Sequence, residues 1–247
     1  MTASHPPITP ATMMRELPLP HGSPAWHEIR RGLPTASAIS RIVTASRGDY
    51  AAGADDYAAE LIAAALGWSP AFSAAPDLSR NRALLPEALC WLRLRHGLDV
   101  REAGFCLSAC GRCGASPDGL TAAGEPVEIK TPDLHTLLKW RLRGGSLPEQ
   151  HRVQCHAHLW ITGADRCWFV AYTPQAAVES LVIPVVRDAF TEKLGACLER
   201  FCTRLEELQQ QLLGAEYFNR IATPAARLAR WQKVEIAEPM ERSVASA

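Results

Sequence analysis

Apolar positions along this chain follow two rhythms, a helical one toward both ends and a strand-like one in the middle. Over 26–46 the helical spacing is interrupted by Gly32 and Pro34, which predicts two short helices. An alanine-rich helix at 50–66 can end at Gly67, and 68–82 reads as a loop. Pro86 suits a first helical turn and Gly97 the residue past a helix end, framing a helix with Glu87, Leu89, Trp91, Leu92 and Leu94. Strands are predicted at 99–107, 114–121 and 126–130, with turn-forming runs at 110–114 and 122–125. Helices at 134–143 and 148–161 lead to strands at 167–172 and 182–186. A long amphipathic helix at 187–213 carries Phe190, Leu194, Leu198, Phe201, Leu205, Leu208 and Leu212 on one stripe. The stripe can pack on its own domain or join subunits.

Residues 1–24 hold six prolines and no periodicity, so they read as a mobile arm or an extended strap. Residues 215–247 read as a mixed tail with a short helix around 227–231. The 247 residues suit one core with decorations, here a single domain over 25–214. With 47% hydrophobic and 21% charged residues the chain is ordinary globular material, which excludes a fibrous or wholly disordered chain. No stretch has the roughly 18 apolar residues of a membrane span, and the start lacks a signal-peptide pattern, so a cytoplasmic protein without membrane contact is expected. Zero net charge excludes a grossly basic DNA-coating protein but not a nuclease whose positive charge is local. Residues 15–47, with five arginines against two acids, mark the side where a polyanion is expected.

The chemistry concentrates in Ala115 to Pro132. Asp118 precedes Gly119 at a strand end, and a turn near Gly124 brings 127–130 back beside it. Side chains alternate along a strand, so Glu128 and Lys130 share one side while Ile129 points to the core. Two carboxylates and an ammonium then converge, a donor set for a hard divalent cation such as Mg²⁺. Lys130 is one of only four lysines among 26 basic residues, and a lysine can orient a nucleophilic water or accept its proton where arginine cannot. An acid two places before a lysine arises by chance about 0.4 times in such a chain, so the bare pattern also fits a solvated hairpin with an incidental ion pair.

Four blocks in order carry a resemblance to a known family: Trp26 with Arg30 and Thr35-Ala36-Ser37; the helix with Glu87; Ser116-Pro117-Asp118-Gly119-Leu120 with Val127-Glu128-Ile129-Lys130; and Gln154 before Leu159 to Gly163. The chain resembles the lambda-exonuclease, or YqaJ-type, branch of the PD-(D/E)XK nuclease superfamily. The resemblance implies an α/β fold with a mixed central sheet flanked by helices. It implies a 5′→3′ exonuclease that degrades linear double-stranded DNA to leave 3′ overhangs, with Mg²⁺ as cofactor and Mn²⁺ as a substitute. Asp118 and Glu128 would be metal ligands, with the Ile129 carbonyl and Glu87 completing the shell. Lys130 would serve the water, and Arg30 and Ser37 would grip a 5′ phosphate, with Thr35 beside them. DNA ends, a single-strand annealing protein and a second and third copy of the chain in a ring-shaped trimer are the implied partners. A PD-(D/E)XK endonuclease that needs no DNA end, and a catalytically silent DNA-binding module of the same fold, are the alternatives. Where the family often has Gln-x-Gln, this chain has Gln154-Cys155-His156, and Gln154 is the preferred site residue.

Lys139, Arg141, Arg143 and Arg152 can form a phosphate track or an ordinary solvated face, and Lys139 and Arg141 are carried as DNA contacts. Cys106, Cys110 and Cys113 have the outline of a zinc knuckle without a second pair. They read as free thiols, or as a site completed by His151, His156 or His158. Two apart on a helix, His156 and His158 face different ways, which predicts one buried and one exposed imidazole.

Overall fold

The computed structural model describes residues 14–68, 79–175, 177–221, 223 and 226. The expectations for 1–13 and 69–78 and for a helix at 227–231 lie outside the described residues. The described chain opens with a strand, β1 (Arg15–Leu17), where the proline-rich sequence suggested a mobile arm or an extended strap. Helix α1 (Pro24–Arg30) follows, its first turn closed by the Ser23 hydroxyl, which accepts from Trp26 N at 3.2 Å. Gly32, at φ +70°, turns the chain into a 3₁₀ helix over Ala36–Arg41, so the predicted break is where the two helices part. Helix α2 (Ala54–Ala65) begins later than the alanine pattern suggested and carries Asp55 and Asp56 at its positive end.

Helix α3 (Ser79–His96) starts seven residues before Pro86, which lies inside it rather than in its first turn. An interior proline removes one helical hydrogen bond and costs about 3 kcal/mol. That cost is offset by packing: Ala88 and Leu92 are fully buried against Val127, Ile129 and Val170.

Two predicted strands each divide, because a glycine or proline interrupts the ladder. The first gives β2 (Val100–Glu102) and β3 (Phe105–Leu107), which enter different sheets. Between them lies Gly104, where a Cβ would stand 2.0 Å from the Leu17 carbonyl oxygen. The second gives β4 (Gly114–Ala115) and β5 (Gly119–Thr121), parted at Pro117, which has no N–H to donate. Strands β1, β3 and β4 form a small antiparallel sheet.

The main sheet has the order β2-β5-β6-β7-β8, with β6 at Pro126–Lys130, β7 at Arg166–Ala171 and β8 at Leu181–Val186. Strands β6 and β7 run parallel and the other pairs antiparallel, giving the mixed sheet that the resemblance implied. A parallel pair needs a long crossover, here supplied by α4 (Leu134–Leu142) and α5 (Glu149–Thr162). Alternation along β6 sends Val127 and Ile129 to the α3 face. Along β7, Cys167, Phe169 and Ala171 meet Leu137, Trp140 and Leu159 of α4 and α5 on the other face.

The amphipathic stripe packs within the domain. On α6 (Ala189–Leu213), Phe190, Leu194, Leu198, Phe201 and Leu205 are buried in one cluster with Ile39, Tyr57, Ala157 and Trp160, while Leu212 is exposed. Gly195 lets the Trp160 ring lie against the helix, since a Cβ there would stand 2.5 Å from the indole. A short α7 (Ala215–Ile221) follows Gly214. No described helix is long and apolar enough to cross a membrane.

The contact at Gly104 is testable. Gly104→Ala forces β1 away from β3, and a stability loss of about 2 kcal/mol is expected, read as a lower urea midpoint. An unchanged midpoint would mean that β1 contributes nothing to the folded core.

Candidate active site

The β5–β6 hairpin builds the centre of the site. Asp118 N donates to the Val127 carbonyl at 2.9 Å, and Asp118 Oδ2 accepts from Ile129 N at 2.6 Å. The carboxylate thus takes over the ladder where Pro117 ends it, and its direction is fixed by the backbone of the strand that carries Glu128. Glu128 and Lys130 share the α5 face, as strand alternation predicts, and their side chains pair directly. From α5, His158 Nε2 bonds Glu128 Oε2 at 2.7 Å. Gln154, one helical turn earlier, lines the same cleft.

Electrostatics separates the two acids. Burial and the neighbouring Glu128 charge push the Asp118 carboxyl up to about 8. Burial also opposes ionisation of Glu128, but Lys130 and His158 outweigh it and hold that carboxyl at about 2. The Lys130 ammonium is likewise disfavoured by burial yet raised overall by Glu128, so it stays protonated. While Lys130 is paired with Glu128 it is a donor and not a base.

A cleft of about 650 Å³ joins this centre to a second cluster. Arg30 Nη1 donates to Ser116 Oγ at 3.2 Å and Nη2 to Thr35 Oγ1 at 3.3 Å. Ser37 Oγ stands 3.5 Å from Thr35 Oγ1, and Trp26 Nε1 donates to Ser116 Oγ at 2.9 Å. The guanidinium also lies 4.0 Å over the Trp26 ring. Burial lowers the Arg30 pKa to about 10. Among the described residues no carboxylate pairs with Arg30, so a half-buried cation beside the hydroxyls of Ser116 and Thr35 is left to meet an anion. Ser116 is two residues from Asp118, which ties the two clusters together by the chain itself.

Not every predicted site residue joins them. Glu87 is exposed on α3 and accepts from the Tyr172 hydroxyl at 2.6 Å, outside the cleft. The reason is helical phase: Asn81 and Leu85, four apart, line the cleft, and Glu87 lies on another face. Asn81 Nδ2 donates to the Ile129 carbonyl at 3.4 Å, and Asn81 Oδ1 accepts from Thr131 N at 3.0 Å. The carbonyl named as a backbone ligand is therefore touched by an asparagine that the sequence reading assigned to a loop. Lys139 is exposed on α4 and Arg141 donates to the Glu179 carbonyl at 2.7 Å, both outside the cleft.

Of the two histidines, both are buried, at 3% exposure for His156 and 0% for His158, which corrects the expectation of one exposed ring. They do face apart, His156 Nδ1 sharing a 2.7 Å hydrogen bond with Thr191 Oγ1. Gln154, not His156, faces the cleft. Cys106 and Cys113 lie in the core with Cys202, whereas His151 stacks on Phe169. In the sequence His158 reads only as a possible partner of the cysteines and Ser116 only as part of a motif block, neither as a residue of this cleft. The signal for His158 was its four-residue step from Gln154, and that for Ser116 its place two before Asp118.

A mixed sheet presenting two carboxylates and a lysine from one hairpin is the arrangement of the PD-(D/E)XK nuclease fold. Residues 25–165 match the YqaJ-like viral recombinase domain, and the chain belongs to that family. Among solved structures it is similar to an alkaline exonuclease, LHK-Exo, from Laribacter hongkongensis, at 27% identity and a TM-score of 0.60, over 76% of this chain and 97% of that one. The complex of LHK-Exo with dAMP matches at 25% identity and a TM-score of 0.61, with the same coverage. A phage related exonuclease from Haemophilus somnus 129PT shares the fold at 11% identity and a TM-score of 0.51, over 72% of this chain and 96% of that one. No curated protein sequence matches the chain significantly. Family membership and these neighbours support a nuclease.

The two carboxyls give a prediction with a definite sign. Asp118 keeps its proton in the fold up to about 8 but loses it near 3.8 when unfolded, so the folded state loses stability as pH rises between those values. Asp118→Asn cannot ionise. In chelator, its stability advantage over the parent is expected to widen by at least about 1 kcal/mol, or roughly 2–4 °C, between pH 5 and pH 8. Thermal denaturation across that range checks it, and a constant difference would count against a neutral Asp118.

Proposed function

We propose that the protein is a divalent-cation-dependent exonuclease that degrades linear double-stranded DNA from the 5′ end and leaves a 3′ single strand. The observation that carries this reading is the half-buried Arg30, hydrogen-bonded to the hydroxyls of Ser116 and Thr35, in the same cleft as Asp118, Glu128 and Lys130. A planar guanidinium with flanking hydroxyls suits the oxygens of a terminal phosphate. An endonuclease has no need to anchor a chain end beside its reactive carboxylates.

The donor set fits Mg²⁺. Two neighbouring carboxyls, one kept neutral by burial and by the other's charge, are a pair that a hard cation would relieve. Mg²⁺ needs only one or two protein carboxylates because it retains waters, and Asp118 Oδ1 has no hydrogen-bond partner among the described residues. Asp118 and Glu128 would hold the ion, with Mn²⁺ as a substitute, and the Ile129 carbonyl beside them. When bound, the ion supplies an acidified water and neutralises charge on the phosphate. Lys130 orients the attacking water and offsets charge on the phosphate oxygens, and Gln154 gives a further polar contact in the cleft. Arg30, with Ser37 and Thr35, holds the phosphate end in register. Glu87, Lys139 and Arg141 lie outside the cleft and are not among the residues on which this reading rests.

A single-strand annealing protein as partner, a trimer around DNA and a cytoplasmic setting complete the reading and rest on family resemblance. The complex of LHK-Exo with dAMP supports a mononucleotide as the released unit.

Nucleotide release from linear duplex with Mg²⁺ tests this proposal, comparing 5′-phosphate with 5′-hydroxyl ends and linear with closed-circular DNA. Progressive release from linear, 5′-phosphorylated DNA is expected, and cutting of closed circles would replace it with an endonuclease. Lys130→Ala is expected to lower the rate by at least about 100-fold with DNA binding retained. Arg30→Gln is expected to erase the preference for a 5′ phosphate; an unchanged preference would remove Arg30 from the anion pocket.

A further inference from the structure

His158 is the residue of this cleft that no motif explains. Its ring has 0% exposure, and Nε2 lies 2.7 Å from Glu128 Oε2. At that distance Nε2 donates to the Glu128 carboxylate. Nδ1 of the same ring is buried and has no hydrogen-bond partner among the described residues. A buried ring nitrogen without a partner is a standing cost to the fold. An apolar side chain of similar size would fill the same space without that cost. What the imidazole alone supplies here is a donor aimed at one oxygen of Glu128.

The other oxygen has a different neighbour. Glu128 Oε1 is met by Lys130, whose side chain is 24% exposed, whereas the His158 side chain, carried on α5, is fully buried. One oxygen therefore has a buried partner held on a helix and the other a partner that solvent reaches. We propose that His158 is a positioning residue: it pins Oε2 so that Oε1 alone is open to exchange between Lys130 and a divalent cation. The inference rests on the proposed metal-dependent function and adds to it the reason Glu128 keeps its aim when Lys130 lets go. Removing such a supporting hydrogen bond commonly lowers metal affinity or activity by about 10–100-fold.

The test is Mn²⁺ affinity of the intact chain without DNA, read from free Mn²⁺ by electron paramagnetic resonance, alongside nuclease rates. His158→Gln retains an N–H donor, and His158→Met fills similar space without one. Mn²⁺ affinity is expected to stay within about 3-fold of the parent in the glutamine variant and to fall at least about 10-fold in the methionine variant. Thermal denaturation confirms that each variant is folded, and His158→Leu is a second donor-free replacement if the methionine variant is not. Added imidazole is expected to restore part of the rate in His158→Ala. Parent-like Mn²⁺ affinity in a folded donor-free variant would overturn the role of His158 and leave the metal-dependent reading intact. Absence of Mn²⁺ binding by the parent would overturn both.

Discussion

Two carboxylates that repel one another inside a protein set the terms for everything around them. Asp118 and Glu128 are brought together by the register of β5 on β6, with Gly119 opposite Val127. Neither can be moved away, because Asp118 is tied to Ile129 N and Glu128 projects from the same strand. The fold accommodates one full negative charge by surrounding Glu128 with Lys130 and His158. The second stays suppressed as a neutral Asp118. A chain that needed only stability would replace one of the acids, since an uncompensated buried charge is among the costliest features a core can hold.

Much of the centre was legible because strand geometry leaves little freedom. Alternation alone put Glu128 and Lys130 on one face and Ile129 in the core, and the hairpin turn brought Asp118 beside them. Helix α3 was different. A proline read as a helix start hid seven residues of helix before it, and with the start misplaced the phase could not be read. Glu87 therefore reads as a site acid in sequence but meets Tyr172, while Asn81, read as loop, reaches Thr131 and the Ile129 carbonyl.

Strand β1 was hidden for another reason. Three residues long, it buries little by itself and has no room for a periodic signal. It exists because partners far along the chain receive it, as Glu16 pairs with Cys106 in register and binds Arg101 at 2.6 Å. The Leu17, Leu19, Trp26, Ile29 and Phe105 cluster that results supports α1, and through α1 it holds Arg30 beside Ser116. Proline content pointed to a mobile arm or an extended strap and could not reveal that residues 15–17 pair with a sheet.

The parallel pairing of β6 and β7 has a consequence for how the molecule comes into being. Residues 131–165 must be synthesised and folded across the sheet before β7 can dock, and closing so long a connection makes such pairings slow. His158 and Gln154 lie on that crossover, so a nascent or partly folded chain has the hairpin acids without the residues that complete their surroundings. The reactive centre is thus among the last features to mature.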